Sequence, residues 1–404
     1  MSKTLGLSES TLKDSIVNLY QYVKNNGYEG YDPYDGLNSE VTQRISKRNK
    51  WLKIFIIQSF KDFPINPRAF FQVNKSINLK SIGLFCSAYL KLYTVTREKK
   101  FLKDAEFCLD LLKNNSLKSK YSDYCWVASS YNVQFPEDLG TPDVPSIVCT
   151  ATCSLAFLDH YEITGSEESL KIAESAANFI ISNLYLRTKD RTIFKYTPTY
   201  NENISIYNAS TFGVRVLSNI YRYTKNKEYL EISEGVLEYL LSKQKQSGVW
   251  YFSETNGIER KQIDFHQGFI LVGLYDFLRY AEPNSRKYLD ALLKGADFYK
   301  NEQFLPDGRC KWRYPRLWPI DIHNQAQGII TFCALKDQRP EYLKFASTIA
   351  EWTIHHMQDP SGYYYYQKWP LLTNKIPYIR WGQAWMLYAL SILLEVSIHD
   401  KQSK

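Results

Sequence analysis

Gln267–Leu278 reads QGFILVGLYDFL and Gln383–Leu394 reads QAWMLYALSILL; a third stretch, Gln327–Leu335, reads QGIITFCAL. All three are apolar around the whole circumference of a helix, a pattern that a helix tolerates only when neighbours cover every side. They fall short of the ~20 residues that a bilayer-spanning helix requires, so no transmembrane segment is expected. Working outward, similar apolar stretches occupy roughly 79–94, 146–161, 208–223, 265–280, 325–336 and 381–396. After each of the first five comes an amphipathic segment opened by a recurring anchor: Phe101-Leu102, Ser169-Leu170, Tyr229-Leu230, Tyr288-Leu289 and Tyr342-Leu343. A small residue follows in most of them, Ala105, Ala173, Ser233 or Ala346. In 169–181 the apolar set Leu170, Ile172, Ala173, Ala176, Ala177 and Ile180 repeats at helical spacing. An amphipathic segment at 11–24 (Leu12, Ile16, Leu19, Tyr20, Val23) supplies the outer partner that the sixth inner helix lacks.

Six inner and six outer helices predict an all-α fold, a closed (α/α)6 toroid. Length alone, 404 residues, would suggest two or three domains. The repeat instead predicts one toroid domain over 1–404, with an irregular insertion at about 27–78 that holds an amphipathic helix around 41–60. Tetratricopeptide-type solenoids are set aside because their repeats run ~34 residues and lack long linkers. Here the anchors are spaced 54–68 residues apart.

The composition, 44% apolar and 23% charged, is that of a chain able to bury a large core, and it excludes collagen-like, mucin-like and disordered classes. The N-terminal residues show no basic stretch leading into an apolar one, and the seven cysteines include no CxxC pair. Reduced thiols and a cytoplasmic location are therefore expected. The net charge of +8 permits an acidic partner, but it reads as scattered, so nucleic-acid binding is not expected. No Walker loop, dinucleotide fingerprint or HExxH occurs. Cys149 and Cys153 read as core thiols, and neither a metal nor an organic cofactor is expected.

The linkers that lead into the inner helices are long and aromatic: SGVWYFSETNGIERKQIDF (247–265), PDGRCKWRYPRLWPIDIH (306–323) and PSGYYYYQKWPLLTNKIPYIRW (360–381). The first alternates around Asn256-Gly257, a hairpin signature. All lie at the N-terminal ends of inner helices, so the decorated face of the ring is the expected site.

The scaffold resembles the six-hairpin toroids of carbohydrate-active proteins: unsaturated-glucuronyl hydrolases, uronate-polysaccharide lyases, N-acylglucosamine 2-epimerases and the glucuronyl C5-epimerase toroid. More narrowly, Gly30-Tyr-Asp-Pro-Tyr-Asp-Gly-Leu-Asn-Ser39 and Ile379-Arg-Trp-Gly-Gln-Ala-Trp-Met386 resemble a microbial polysaccharide-biosynthesis family. That resemblance implies a carbohydrate context and leaves the reaction open.

Candidate chemistry gathers at the inner-helix entrances. Asp-x-His occurs twice at equivalent places, Asp264/His266 and Asp321/His323, and these with Asp143, Tyr314 and Tyr378 form the expected catalytic set. Arg316 and Arg380 are suited to bidentate carboxylate recognition. Asn208, Asn324, Gln267, Gln327 and Gln383 would meet hydroxyls, while Trp250, Trp312, Trp318, Trp369 and Trp381 would pack on sugar rings. Capping and loop ion pairing are the alternative employments for these residues. Asp32, Asp35 and Glu40 read as turn formers, with a general acid as the other option. The expected ligand is an oligo- or polysaccharide carrying uronate. His323 or His266 would remove the C5 proton, and Tyr314 or Tyr378 would complete an epimerase or lyase reaction. An Asp-pair glycoside hydrolase and a non-catalytic glycan-binding protein of a synthesis complex are the alternatives.

Overall fold

The computed structural model describes residues 6–47, 49–127 and 143–402. In chain order its helices are α1 (Glu9–Asn25), α2 (Glu40–Ser46), α3 (Lys50–Asp62), α4 (Leu79–Thr96), α5 (Lys99–Asn114), α6 (Lys118–Tyr121), α7 (Ile147–Thr164) and α8 (Glu167–Phe179). They continue with α9 (Tyr207–Thr224), α10 (Lys227–Ser242), α11 (His266–Tyr280), α12 (Arg286–Phe298), α13 (Ile322–Ala334), α14 (Glu341–Met357) and α15 (Trp385–Gln402). Side chains of Ser8, Asn78, Ser146, Ser166 and Asn226 cap α1, α4, α7, α8 and α10, satisfying amides that helix starts leave orphaned.

Helices α4, α7, α9, α11, α13 and α15 form the inner ring, each packed on its two neighbours, and α15 returns to α4 to close the circle. Helices α5, α8, α10, α12, α14 and α1 lie outside them. The closed toroid is therefore the fold. Its outer helices bury one stripe only; α5 turns Phe101, Ala105, Cys108, Leu109 and Leu112 inward. Within each anchor the residue before the leucine is the buried one, as at Phe101, Tyr229 and Tyr342, while the leucine itself is half-buried. Residues 379–402 are long and apolar enough by composition to cross a membrane. Here they form the sixth inner helix, with Trp385, Met386, Leu387, Leu390 and Leu394 buried in the core, each worth roughly 1.5–3 kcal/mol.

The seam lies between α1 and the last repeat. The Ser15 hydroxyl meets the Tyr364 hydroxyl at 2.6 Å, Gln358 donates to the Ser15 carbonyl at 3.1 Å, and Lys401 pairs with Glu9 at 2.8 Å. Gly248, Gly308 and Gly362 occupy equivalent turns with φ of 94°, 91° and 103°, each against a carbonyl of the next outer helix: Lys294, Thr348 and, across the seam, Asn18. No Cβ fits at Gly362. Gly362→Ala is expected to combine left-handed strain with this clash and lower stability by about 1–3 kcal/mol, read as a drop in melting temperature.

One device hangs every decorated loop from the ring. In the first turn of each later inner helix, a side-chain oxygen accepts the backbone N–H of the preceding loop: Thr150 from Trp126, Ser210 from Phe194, Gln267 from Trp250, Gln325 from Cys310 and Gln383 from Tyr364. Three of the glutamines and asparagines expected to bind substrate are thereby assigned elsewhere. Gln267 and Gln383 grip Trp250 and Tyr364 through both backbone groups, and Asn324 donates to the carbonyls of Lys311 and Trp312. Trp250 is no sugar platform either; it is fully buried and its indole N–H donates to the Leu240 carbonyl, as Trp126 does to Leu112.

The expected Asn256-Gly257 hairpin joins Ser253–Thr255 to Ile258–Arg260, with positive φ at both turn residues, and Ile204–Ile206 extends it to three strands. Ile320–Asp321, Gln367–Lys368 and Thr373–Asn374 form a second small sheet. The insertion is tied off at its base, where Glu29–Gly30 pairs with Ser76–Ile77, and it holds a core of its own around Leu37, Ile56, Ile57, Phe60 and Val73. Its expected single helix is two, α2 and α3. Asp32 and Asp35 are structural acids there. Asp35 pairs with the fully buried Arg68 at 2.6 Å, and Asp32 takes the Arg380 guanidinium through both oxygens at 2.6 and 2.9 Å.

Candidate active site at the mouth of the ring

The inner helices begin at one end of the toroid, and their first turns line its mouth. Asn78, Ser146 and Asp321 cap three of them, so the residues two positions further on, Lys80, Val148 and His323, fall at equivalent places on the wall. Below the mouth the bore is nearly closed. A cavity of about 20 Å³, room for one water, is lined from all six inner helices by residues such as Leu84, Thr152, Phe212, Phe269, Gln327 and Trp385. Beneath it Arg215 pairs with Asp276 and Lys91 with Glu395, which fills the far end with charge pairs. The ring is thus a cup with a floor.

His323 sits on that floor, enclosed by rings. Its centroid lies 4.2 Å from Phe265, 5.2 Å from Trp385, 6.0 Å from Phe269 and 6.2 Å from Trp381. Neither ring nitrogen has a hydrogen-bond partner among the described residues. Burial, reinforced by the charges of Lys80, His266 and Arg380, holds its imidazole well below the usual histidine range, so it is neutral at pH 7. A buried, neutral, unpartnered imidazole keeps an acceptor nitrogen for whatever enters the cup.

His266 stacks on the same Phe265, also at 4.2 Å, and reaches Phe269 at 6.2 Å. The two 4.2 Å legs put the histidines at most about 8 Å apart, both against the Phe265 ring. His266 is half-buried and donates from Nδ1 to Asp264 at 2.5 Å, which orients its Nε2 away from the carboxylate. Asp264 also accepts from Gln262 at 2.6 Å. Burial alone would raise its carboxyl, but the charge and hydrogen bonds of His266 outweigh that and hold it below the ordinary value. Asp321 caps α13, accepting from the His323 amide at 2.9 Å and from Gln367 at 2.8 Å; burial pushes its carboxyl up to about 6 despite those bonds.

Lys80 stands beside these groups, and sequence reasoning missed it. Its ammonium lies 5.0 Å from the Trp385 ring centroid, on the same indole that His323 stacks against, and among the described residues no carboxylate pairs with it. Burial, then the Arg380 charge, pushes it down to about 7. The signal was available, since Lys80 is the one charged residue in the first turns of LKSIGLFCSAYL, an otherwise buried helix. Asn208 Oδ1, Gln327 Oε1 and Trp385 Nε1 are also buried without partners among the described residues, and Gln327 and Trp385 line the bore.

The remaining expected residues stand elsewhere. Tyr378 is fully buried and donates to the Phe60 and Lys61 carbonyls, so its hydroxyl pins α3 and is closed to proton transfer. Tyr314 packs on Phe298 of outer helix α12, and the Glu302 charge raises its phenol; it touches neither histidine. Arg380 is near the mouth, but Asp32 fills its fork. Arg316 is exposed in a turn with Arg313. Asp143 is exposed with a φ of 65°, receives Lys120 at its carbonyl, and leaves the capping of α7 to Ser146. Among the tryptophans, Trp381 meets His323 and Tyr34; Trp312 and Trp318 lie under Arg313 and Arg309, and Trp369 is exposed on a hairpin tip.

Solved structures similar to this one include cellobiose 2-epimerase from Bacillus thermoamylovorans, at TM-score 0.63 and 15% identity over 80% of this chain and 90% of that one. A GH76 α-mannanase from Bacteroides thetaiotaomicron matches at 0.67 and 12%, over 81% and 88%. An unsaturated glucuronyl hydrolase specific for heparin matches at 0.63 and 12%, over 96% and 97%. No family model matches the sequence, and no curated protein is similar to it in sequence. At these identities the likeness shows the shared toroid.

Proposed function

We propose that the protein is a carbohydrate-active enzyme that moves a proton at a sugar carbon, acting as an epimerase or lyase on a uronate-containing oligo- or polysaccharide. One observation carries this reading: a neutral, unpartnered His323 and an Asp264-oriented His266 flank a single phenylalanine at the floor of a cup. Two imidazoles within about 8 Å of each other suit removal of a proton by one and its return, or protonation of a departing oxygen, by the other. His323 takes the C5 proton; Lys80 faces the carboxylate oxygens as negative charge spreads onto them; His266 delivers the second proton. Lys80 replaces Arg380 and Arg316 as the cation for the uronate, because Asp32 holds the first and solvent surrounds the second. The names of the structurally similar enzymes, epimerase and glucuronyl hydrolase among them, support a saccharide substrate. The seven buried, unpaired thiols suit the reducing cytosol, where we place the reaction within polysaccharide biosynthesis.

The test is incubation with uronate oligosaccharides in deuterated water. Deuterium at C5 identifies the epimerase, and an unsaturated product absorbing in the near ultraviolet identifies the lyase. Lys80→Met is expected to lower kcat about 10²–10³-fold, the usual loss for one charge-stabilising donor. With wild type, kcat/KM should fall as pH rises through about 7, where Lys80 gives up its charge. A hydrolase has one observation in its favour, the opposed shifts of Asp264 and Asp321. Release of reducing ends from a neutral glycan, stopped by Asp264→Asn or Asp321→Asn, with no C5 exchange, would establish it instead.

A further inference from the structure

Large apolar side chains are exposed mainly in one region of this molecule. Trp51 and Phe55, one turn apart on α3, are 79% and 67% exposed, and Phe70 in the loop that follows is 84% exposed. Beside them stands the hairpin Gln367–Lys368/Thr373–Asn374, whose tip carries Trp369 and the fully exposed Leu371. Asn374 donates to the Phe63 carbonyl at 3.3 Å, which ties the hairpin to the C-terminal end of α3.

The net charge is concentrated in the same place. Residues 40–77 contain eight Lys and Arg against two acids, and Lys368 and Lys375 flank the hairpin tip with no acid between them. Arg48 lies outside the described residues and Arg68 is buried on Asp35; the other six, with Lys368 and Lys375, exceed the two acids by six. Most of the positive balance therefore comes from these two segments of the chain. Lys50 and Lys53 have no acidic partner among the described residues, and they alternate with Trp51 and Phe55.

We infer that this face docks on an anionic lipid surface. Exposed Trp, Phe and Leu interleaved with Lys is the chemistry of an interfacial anchor, in which rings and aliphatic groups enter the headgroup boundary and ammonium groups meet lipid phosphates. A second copy of the chain would oppose like charges across a two-fold interface. A nucleic acid would use the lysines but leave Leu371, Leu372 and Ile65 in water. Gln367 of the same hairpin holds Asp321, two residues from His323, so docking sets the mouth of the cup beside the headgroups.

The experiment is co-flotation of the full chain with vesicles of phosphatidylcholine alone or mixed with phosphatidylglycerol. Binding is expected to the mixed vesicles only, to weaken with salt, and to weaken about 10–30-fold in Lys50→Gln/Lys53→Gln, two surface charges removed. Trp51→Ser/Leu371→Ser should lose binding without a change in melting temperature, since both side chains are in solvent. No flotation, equal flotation on both vesicle types, or variants that float as wild type does would each overturn the inference. Tight binding of a duplex oligonucleotide abolished by Lys50→Gln/Lys53→Gln, or a solution dimer broken by Trp51→Ser/Leu371→Ser, with no flotation, would assign the face to those partners.

Discussion

His323→Phe is expected to abolish turnover, a loss of about 10²–10⁴-fold for removal of a general base, while the protein stays folded and as stable as wild type or more so. Phenylalanine keeps the ring in its aromatic enclosure and removes two buried nitrogens that have no partner among the described residues. His323→Ala removes the same base but opens a hole among Phe265, Phe269, Trp381 and Trp385, so it should cost stability as well as activity. The pH dependence separates the two variants from a mere packing effect. The folded pKa of His323 is depressed, so in the unfolded chain the imidazole takes a proton as pH falls through ~6.5, while in the folded chain it does not. The unfolded state then binds more protons, and the neutral-histidine form loses stability on acidification below that value. Melting temperatures of wild type should therefore fall more steeply between neutral and mildly acid pH than those of His323→Phe. Equal slopes, or a phenylalanine variant that still turns over substrate, would remove His323 from the mechanism.

Arg68→Ala should produce the largest structural effect. Arg68 is wholly buried, and its guanidinium donates to Asp35, the Phe60 carbonyl and the Asp32 carbonyl while lying against the Tyr31, Phe60 and Tyr378 rings. Burial already pushes Asp35 up to about 7 with Arg68 in place. Taking away the cation leaves that carboxyl without its main partner, at about 3–5 kcal/mol. The damage should be local: hydrogen exchange across 32–73 is expected to speed up by about 10²–10³-fold while the ring helices keep their protection. Activity should fall with it, because Asp32 sits in the same turn and holds Arg380 at the mouth. Asp35→Leu combined with Arg68→Met should restore protection, since an apolar pair carries no buried charge.

The ring was legible because burial on every side leaves a plain mark, an unbroken apolar helix, and six such marks at a near-constant interval have one economical arrangement. The two Asp-x-His pairs were legible for a similar reason: recurrence at equivalent positions marked them, and the helix entrances bring them together. Pairwise employment was not legible. Nothing in the sequence distance between Asp32 and Arg380, or Gln383 and Tyr364, says that one satisfies the other. Amides at helix entrances were read as ligands for hydroxyls, whereas each loop needs a fixed anchor and the amide side chain supplies both halves of one. Lys80 belongs to no recurring pair and to no loop; its one mark in the sequence is a lone charge inside an apolar helix.

The seam has a kinetic consequence. Contacts between neighbouring repeats join residues about 60 apart, as Arg222 and Glu162 do, but those that fasten Ser15 to Tyr364 join residues 349 apart. By chain-closure entropy the second kind costs about 1.5 kcal/mol more than the first, so adjacent hairpins assemble early and the circle is completed last. Until then Lys80 on the first inner helix and Trp385 on the last stand unjoined, and the floor beneath the substrate does not exist. The site of the proposed reaction is therefore completed in a single late step, when the two ends of the folded arc meet.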